Sequence, residues 1–74
     1  MYGLEYVDEE LVERCRKMFA MVYPEFRPIA LGASMDKTCI IFKCFFPDGT
    51  FYFRVSEDSV SRSFDSAEDA DRGR

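Results

Sequence analysis

Residues 38–55 constrain this chain most. Thr38-Cys39-Ile40-Ile41-Phe42-Lys43-Cys44-Phe45-Phe46 is dense in β-branched and aromatic side chains, the types that fit a pleated, half-buried surface. Pro47-Asp48-Gly49-Thr50 follows with turn chemistry, proline presetting its own φ and glycine offering a left-handed position. Phe51-Tyr52-Phe53-Arg54-Val55 then alternates cleanly. Two such strands form a β-hairpin. A lone hairpin is marginal in water, so the rest of the chain must cover it.

The length of the loop decides which side chains face inward. If Pro47, Asp48 and Gly49 form the loop, Phe46 faces Thr50, and Phe51, Phe53 and Val55 share a face with Phe45, Lys43, Ile41 and Cys39. That places a lysine in the core. If Pro47 to Thr50 all lie in the loop, Phe46 faces Phe51. The shared face is then Ile40, Phe42, Cys44, Phe46, Phe51, Phe53 and Val55, all apolar. A one-residue slip exchanges every side chain between faces, so the four-residue loop is expected. The other face then carries Cys39, Ile41, Lys43, Phe45, Tyr52 and Arg54.

A helix is predicted over residues 9–22. Asp8 suits its N-cap because a carboxylate can accept from the free amides of the first turn. Val7 and Val12 fit a hydrophobic staple across that cap. Leu11, Val12, Cys15, Met18, Phe19 and Val22 recur on one face at the 3.6-residue period. Glu9 and Glu10 open the helix and Arg14, Arg16 and Lys17 come later, in the sense the macrodipole favours. Glu10–Arg14 and Glu13–Lys17 have the spacing of ion pairs along a helix. Pro24 forces Tyr23 out of helical geometry and ends the segment. Before the helix, residues 2–6 read as a short strand or a packed lead-in. After it, residues 26–31 read as an edge strand or irregular connection because of Pro28, and residues 32–37 as a turn.

Beyond Val55 the chain becomes polar. Ser56-Glu57-Asp58-Ser59 reads as a cap and first turn, with Val60 and Phe64 anchoring one or two helical turns. Residues 65–74 read as a weak second helix or a frayed acidic tail. Residues 56–74 hold six acids and three bases, against eight and seven before them, so most of the net charge of −4 sits at this end. The expected architecture is α+β: an N-terminal helix on an antiparallel sheet of about three strands, order α-β-β-β, then the weak helix or tail. Residues 1–64 are expected to form a single compact domain and 65–74 its tail. Twelve aromatic residues among 74, eight Phe and four Tyr, give so short a chain the means to build a core.

Much chemistry is excluded by composition. The chain has no histidine, which removes the commonest general base, the usual activator of serine or cysteine nucleophiles and most zinc sites. Cys15, Cys39 and Cys44 are odd in number and lack metal-ligand spacing, so no disulfide framework or metal site is expected. Cys15 and Cys44 fall on core faces and Cys39 on the outer face or strand end, where exposure would make it reactive. Asp65, Asp69 and Asp71 lack the glycine and closing glutamate of a calcium loop. Gly3, Gly32, Gly49 and Gly73 are isolated, so there is no phosphate-binding loop. No catalytic residues and no cofactor are expected. The N-terminus lacks a signal-peptide pattern and no apolar run would span a membrane, which makes the cytoplasm the expected compartment.

Negative charge argues against direct nucleic-acid binding, which needs clustered Lys and Arg, and against anionic membrane. The α-β-β-β-α order resembles several small nucleic-acid-binding and toxin–antitoxin folds, but none of their signature residues is matched, and order alone carries no function. The expected function is a small, acidic, non-enzymatic protein-interaction module. Glu9, Glu10, Glu13, Glu57, Asp58, Asp65, Glu68 and Asp69 would meet a basic, nucleic-acid-binding surface of a larger protein, while Phe45 and Tyr52 supply affinity. A phage or mobile-element inhibitor, of anti-CRISPR or transcription-inhibitor type, is the concrete version. One alternative is a nucleic-acid-binding or regulatory module using Arg14, Arg16, Lys17, Lys43 and Arg54. Another is a structural homo-oligomer, with a homodimer formed through the outer sheet face.

Overall fold

A computed structural model describes residues 1–74. Helix α1 (Glu9–Val22) has the expected bounds: Asp8 is extended and its carboxylate accepts the Glu10 N–H at 3.1 Å. Val7 and Val12 both pack against the core beside the cap. Cys15 and Phe19 are fully buried, with Leu11, Val12 and Met18 packed around them. Val22, expected on the same stripe, is instead 48% exposed. The ring of the C-capping Tyr23 fills the space over the sheet in its place, 5.0 Å from Phe19 and 5.4 Å from Phe53 between centroids. The Glu10–Arg14 pair forms at 3.1 Å. Glu13 pairs with Arg16 at 3.5 Å rather than with Lys17, because a hydrogen bond to the Pro28 carbonyl anchors the Arg16 guanidinium on that side. No base reaches the last turn of α1, so the charge pattern favours the dipole at the N-terminal end only.

Strands β1 (Ile29–Ala33), β2 (Ile40–Phe46) and β3 (Gly49–Val55) form an antiparallel sheet in that order. The hairpin turn is tighter than expected. Phe46 pairs with Gly49, leaving only Pro47 and Asp48 in the loop. Gly49 makes this possible by adopting φ +148°, a conformation L side chains rarely enter. The register therefore differs by two residues from a four-residue loop, and a slip of two leaves every side chain on its expected face. Ile40, Phe42, Cys44, Phe53 and Val55 are buried with α1, and Phe46 and Phe51 pack at their margin. Lys43 lies opposite Tyr52, away from that core.

Strand β1 starts just after the buried Pro28 and continues through Gly32 and Ala33, which the sequence pattern assigns to a turn. A bulge at Leu31 separates Ala30, opposite Phe42, from Gly32, opposite Ile41. Gly32 pairs with Ile41, and its lack of a side chain lets the chain's beginning cross it closely: a Cβ there would stand 2.5 Å from the Tyr2 carbonyl oxygen. Tyr2 and Ala33 exchange two backbone hydrogen bonds of 2.8 Å. The lead-in is thus one bridge followed by a 3-10 turn (Leu4–Tyr6) rather than a strand.

Residues 56–64 are not helical. The Ser56 hydroxyl accepts from the Ser59 amide and the Ser56 amide donates to the Ser59 carbonyl, which closes a tight turn. The chain then runs back along β3: Val60 bridges Val55, Ser61 bonds Arg54, and Phe64 bridges Tyr52. These contacts satisfy edge amides and carbonyls of β3, which a detached helical turn would leave open. Helix α2 (Ala67–Arg72) follows, capped by Ser66 and ended by Gly73 at φ +75°. It lies on the face of the sheet opposite α1, where Ala70, Phe64 and Ile41 are buried together. Arg54 donates from its guanidinium to the Asp71 carbonyl. The fold is an α+β domain with helices of unequal size on the two faces of one sheet.

Candidate functional site

Two groups of carboxylates emerge, and the sheet keeps them apart. In the first, Arg14 reaches Glu10 at 3.1 Å and Glu57 at 3.2 Å, joining the start of α1 to the turn after β3. Glu9 stands exposed on the same helix without an ion pair, and Asp58 accepts from the Ser56 hydroxyl at 2.7 Å. Glu13, paired with Arg16, lines a separate cleft with Leu4, Glu5, Glu9 and Val12. A cleft of about 450 Å³ opens at the turn after β3, lined by Leu11, Lys37, Thr38, Ser56, Glu57 and Asp58. In the adjoining turn, Asp36 accepts from the Ser34 hydroxyl at 2.6 Å and from the Thr38 hydroxyl and amide at 2.8 and 3.1 Å. Those bonds hold its carboxyl down to about 2.

The second group belongs to the opposite face. Asp65 precedes α2, Glu68 sits 3.8 Å from Arg72, and the Asp69 amide donates to the capping Ser66. The acidic residues singled out from the sequence therefore form two surfaces, not one. Phe45 and Tyr52 are on the α2 side as well. Phe45 is 56% exposed, with the Lys43 ammonium 5.2 Å from its ring centroid. Tyr52 is half-buried against the cluster of Ile41, Phe64 and Ala70 and so is partly used by the fold. Ile29, which sequence reasoning left out, faces outward opposite Lys43 and is 48% exposed. Strand parity would have found it had residues 29–33 been read as β.

Of the bases considered for nucleic acid, Arg14 and Arg16 are tied to carboxylates and Arg54 to a carbonyl. Lys17 and Lys43 have no such partner. All three thiols are free. Burial pushes Cys15 up to about 11 and raises Cys44 too, so both side chains act as small apolar groups in the core. Cys39 is half-buried at the strand end. No group of three or more Cys, Asp or Glu side chains is placed to hold a metal ion. No helix is long and apolar enough to cross a membrane.

One feature had no signal in local sequence. At the hairpin end of the inner face, Tyr23, Phe46, Phe51 and Phe53 wall a cleft of about 190 Å³ that also meets Asp48 and Ser63. Its walls come from the end of α1 and the hairpin, and only tertiary packing brings these segments together.

No protein-family model, curated protein or solved structure matches this chain.

Proposed function

We propose that this domain is a non-enzymatic interaction module whose acidic end docks on a basic surface of a larger protein. The observation that carries this reading is the Arg14 bridge between Glu10 and Glu57. It draws carboxylates from two distant parts of the chain together beside Asp58, with Glu9 and Glu13 exposed on the same helix. A charged edge steers encounter and suppresses wrong partners more than it adds raw affinity. The bases that would serve a nucleic-acid-binding module are largely engaged within the protein, which favours the acidic edge over that alternative. An inhibitor of a nucleic-acid-binding protein, of the phage anti-CRISPR or transcription-inhibitor kind, is the concrete form of this proposal. That further step rests on size and charge.

Affinity capture from a bacterial lysate, with Glu9→Gln, Glu57→Gln and Asp58→Asn combined as the comparison, tests the proposal. A partner should be held at low salt, be released as the screening length falls from about 10 Å at 0.1 M to about 3 Å at 1 M, and be lost by the neutralised variant. Equal capture by the neutralised variant, or capture indifferent to salt, would overturn it. The exposed pair Ile29 and Phe45 favours a second reading, a homodimer through the outer face. Light scattering decides that one, since a strict monomer at high concentration removes it.

A further inference from the structure

We infer that the aromatic cleft at the hairpin end is a binding site for a basic side chain, a lysine or arginine presented by a partner protein. The walls are aromatic rings. Tyr23 stands 5.5 Å from Phe46 at 72° between planes, Phe46 stands 5.9 Å from Phe51 at 62°, and Phe53 closes the floor at 5.4 Å from Tyr23. Phe53 is 1% exposed, whereas Tyr23, Phe46 and Phe51 are each only half-buried. At about 190 Å³ the cleft is smaller than the roughly 300 Å³ at which pockets for drug-sized ligands begin, and is of a size for one side chain.

Charge selects the occupant. The only ionisable group at the mouth besides the Tyr23 phenol is Asp48, whose exposed carboxylate has no ion pair or hydrogen bond within the protein. No base lines the cleft. An aliphatic stem laid along the rings with its cation at the rim would meet the negative ring faces and the free carboxylate together. A neutral aliphatic side chain would meet only the first surface, and an acidic one would be repelled. Asp48 is in a turn that fixes its position, because Pro47 before it and the positive φ of Gly49 after it leave the two-residue loop little freedom.

The inference takes its partner chemistry, a basic protein surface, from the reading above, but it concerns the other end of α1 and is tested without any partner. The probes are N-acetyl-lysine methylamide, N-acetyl-arginine methylamide and the norleucine counterpart, which keeps the stem and lacks the charge. Aromatic carbon–proton spectra of the intact protein report which rings respond. The lysine and arginine probes should shift Tyr23, Phe46 and Phe51 and bind about 2- to 30-fold more tightly than the norleucine probe. Asp48→Asn, a change the turn tolerates, should weaken the cationic probes about 2- to 5-fold and leave the norleucine probe unchanged. Phe51→Leu should reduce the preference for charge, and Phe51→Leu combined with Asp48→Asn should reduce it further. Norleucine binding as tightly as lysine, shifts confined to the Glu9–Glu57 end, or no ring response at all would each overturn the inference. Cleft failure with a partner still captured by the acidic edge would remove this site alone. Probe binding without such capture would support this site while removing the docking reading.

Discussion

On the inner face of the sheet, Cys15 and Phe19 of α1 meet Ile40, Phe42, Cys44, Phe53 and Val55, and none of these is more than 1% exposed. On the outer face the same strands place Ile41 under Phe64 and Ala70, while Ile29 and Phe45 stay about half exposed. Both faces follow the same alternation along β2 and β3. What differs is the cover. A helix of fourteen residues spans one side, and the other receives six residues of α2 and an extended segment. A helix as short as α2 is not stable alone and exists by docking. Hydrophobic strands thus do not guarantee a buried face. The length of the covering element decides it.

Removing a ring from each face should expose the difference. Phe19→Ala takes away a side chain that contacts Tyr23, Phe42 and Phe53 with centroids 5.0 to 6.1 Å away. It is expected to cost about 4–5 kcal/mol, a large share of the about 4–11 kcal/mol typical of a domain this size. Phe64→Ala should cost about 3 kcal/mol or less, because the thin cover above it can collapse. Urea unfolding of both variants measures the gap, and equal losses would break the comparison.

Ser34→Ala should fall next, at about 2 kcal/mol. The Ser34 hydroxyl is fully buried, accepts from the Cys39 amide at 3.1 Å and donates to Asp36. Its loss leaves that amide without the side-chain partner at the point where β1 turns into β2. Thermal unfolding checks the expectation, and a change within experimental error would show that water replaces the hydroxyl.

The thiols sharpen the contrast with pH. The folded-state value of Cys15 lies at about 11, above the ordinary 9.0. The stabilisation linked to its neutral form is therefore complete below about pH 9 and is lost as pH rises through 11. Cys44 is shifted in the same direction. In the native state a thiol reagent should modify Cys39 first, with Cys15 and Cys44 reacting only on unfolding. Mass spectrometry of the labelled peptides reads the order, and early labelling of Cys15 would show that the inner face opens locally.

The smallest effect is expected for Phe45→Ser, within about 0.5 kcal/mol, since more than half of that side chain already meets water. A clear loss of stability on dilution of the native protein, absent in the variant, would show that a second copy covers the outer face.

The helix was legible because its signals are local: Asp8 caps it, Pro24 ends it, and the apolar stripe runs between. The faces of the hairpin were legible for a related reason, since alternation is a property of parity. Parity is also why the loop length was not. A shift of two residues preserves the apolar match, so the pattern could not separate a four-residue loop from the Pro47-Asp48 turn that Gly49 permits. Residues 56–64 escape a local reading because their structure depends on β3, whose edge supplies partners that a serine-rich stretch does not announce. The acidic residues were individually visible, but their division between two faces follows from where α2 docks. The aromatic cleft depends on Tyr23 meeting a hairpin more than twenty positions later, and no short window contains that meeting.

The bulge at Leu31 has a consequence for how many such molecules can share a solution. Rows of unpaired strand amides invite other chains to add themselves, which is the route to fibres. Here one flank of the sheet is interrupted by that bulge, preceded by a proline and occupied at Ala33 by Tyr2, and the other is lined by the segment from Val60 to Phe64. Both edges that could seed a cross-β stack are thus partly covered within the fold, so a chain rich in phenylalanine offers a second copy fewer free strand amides.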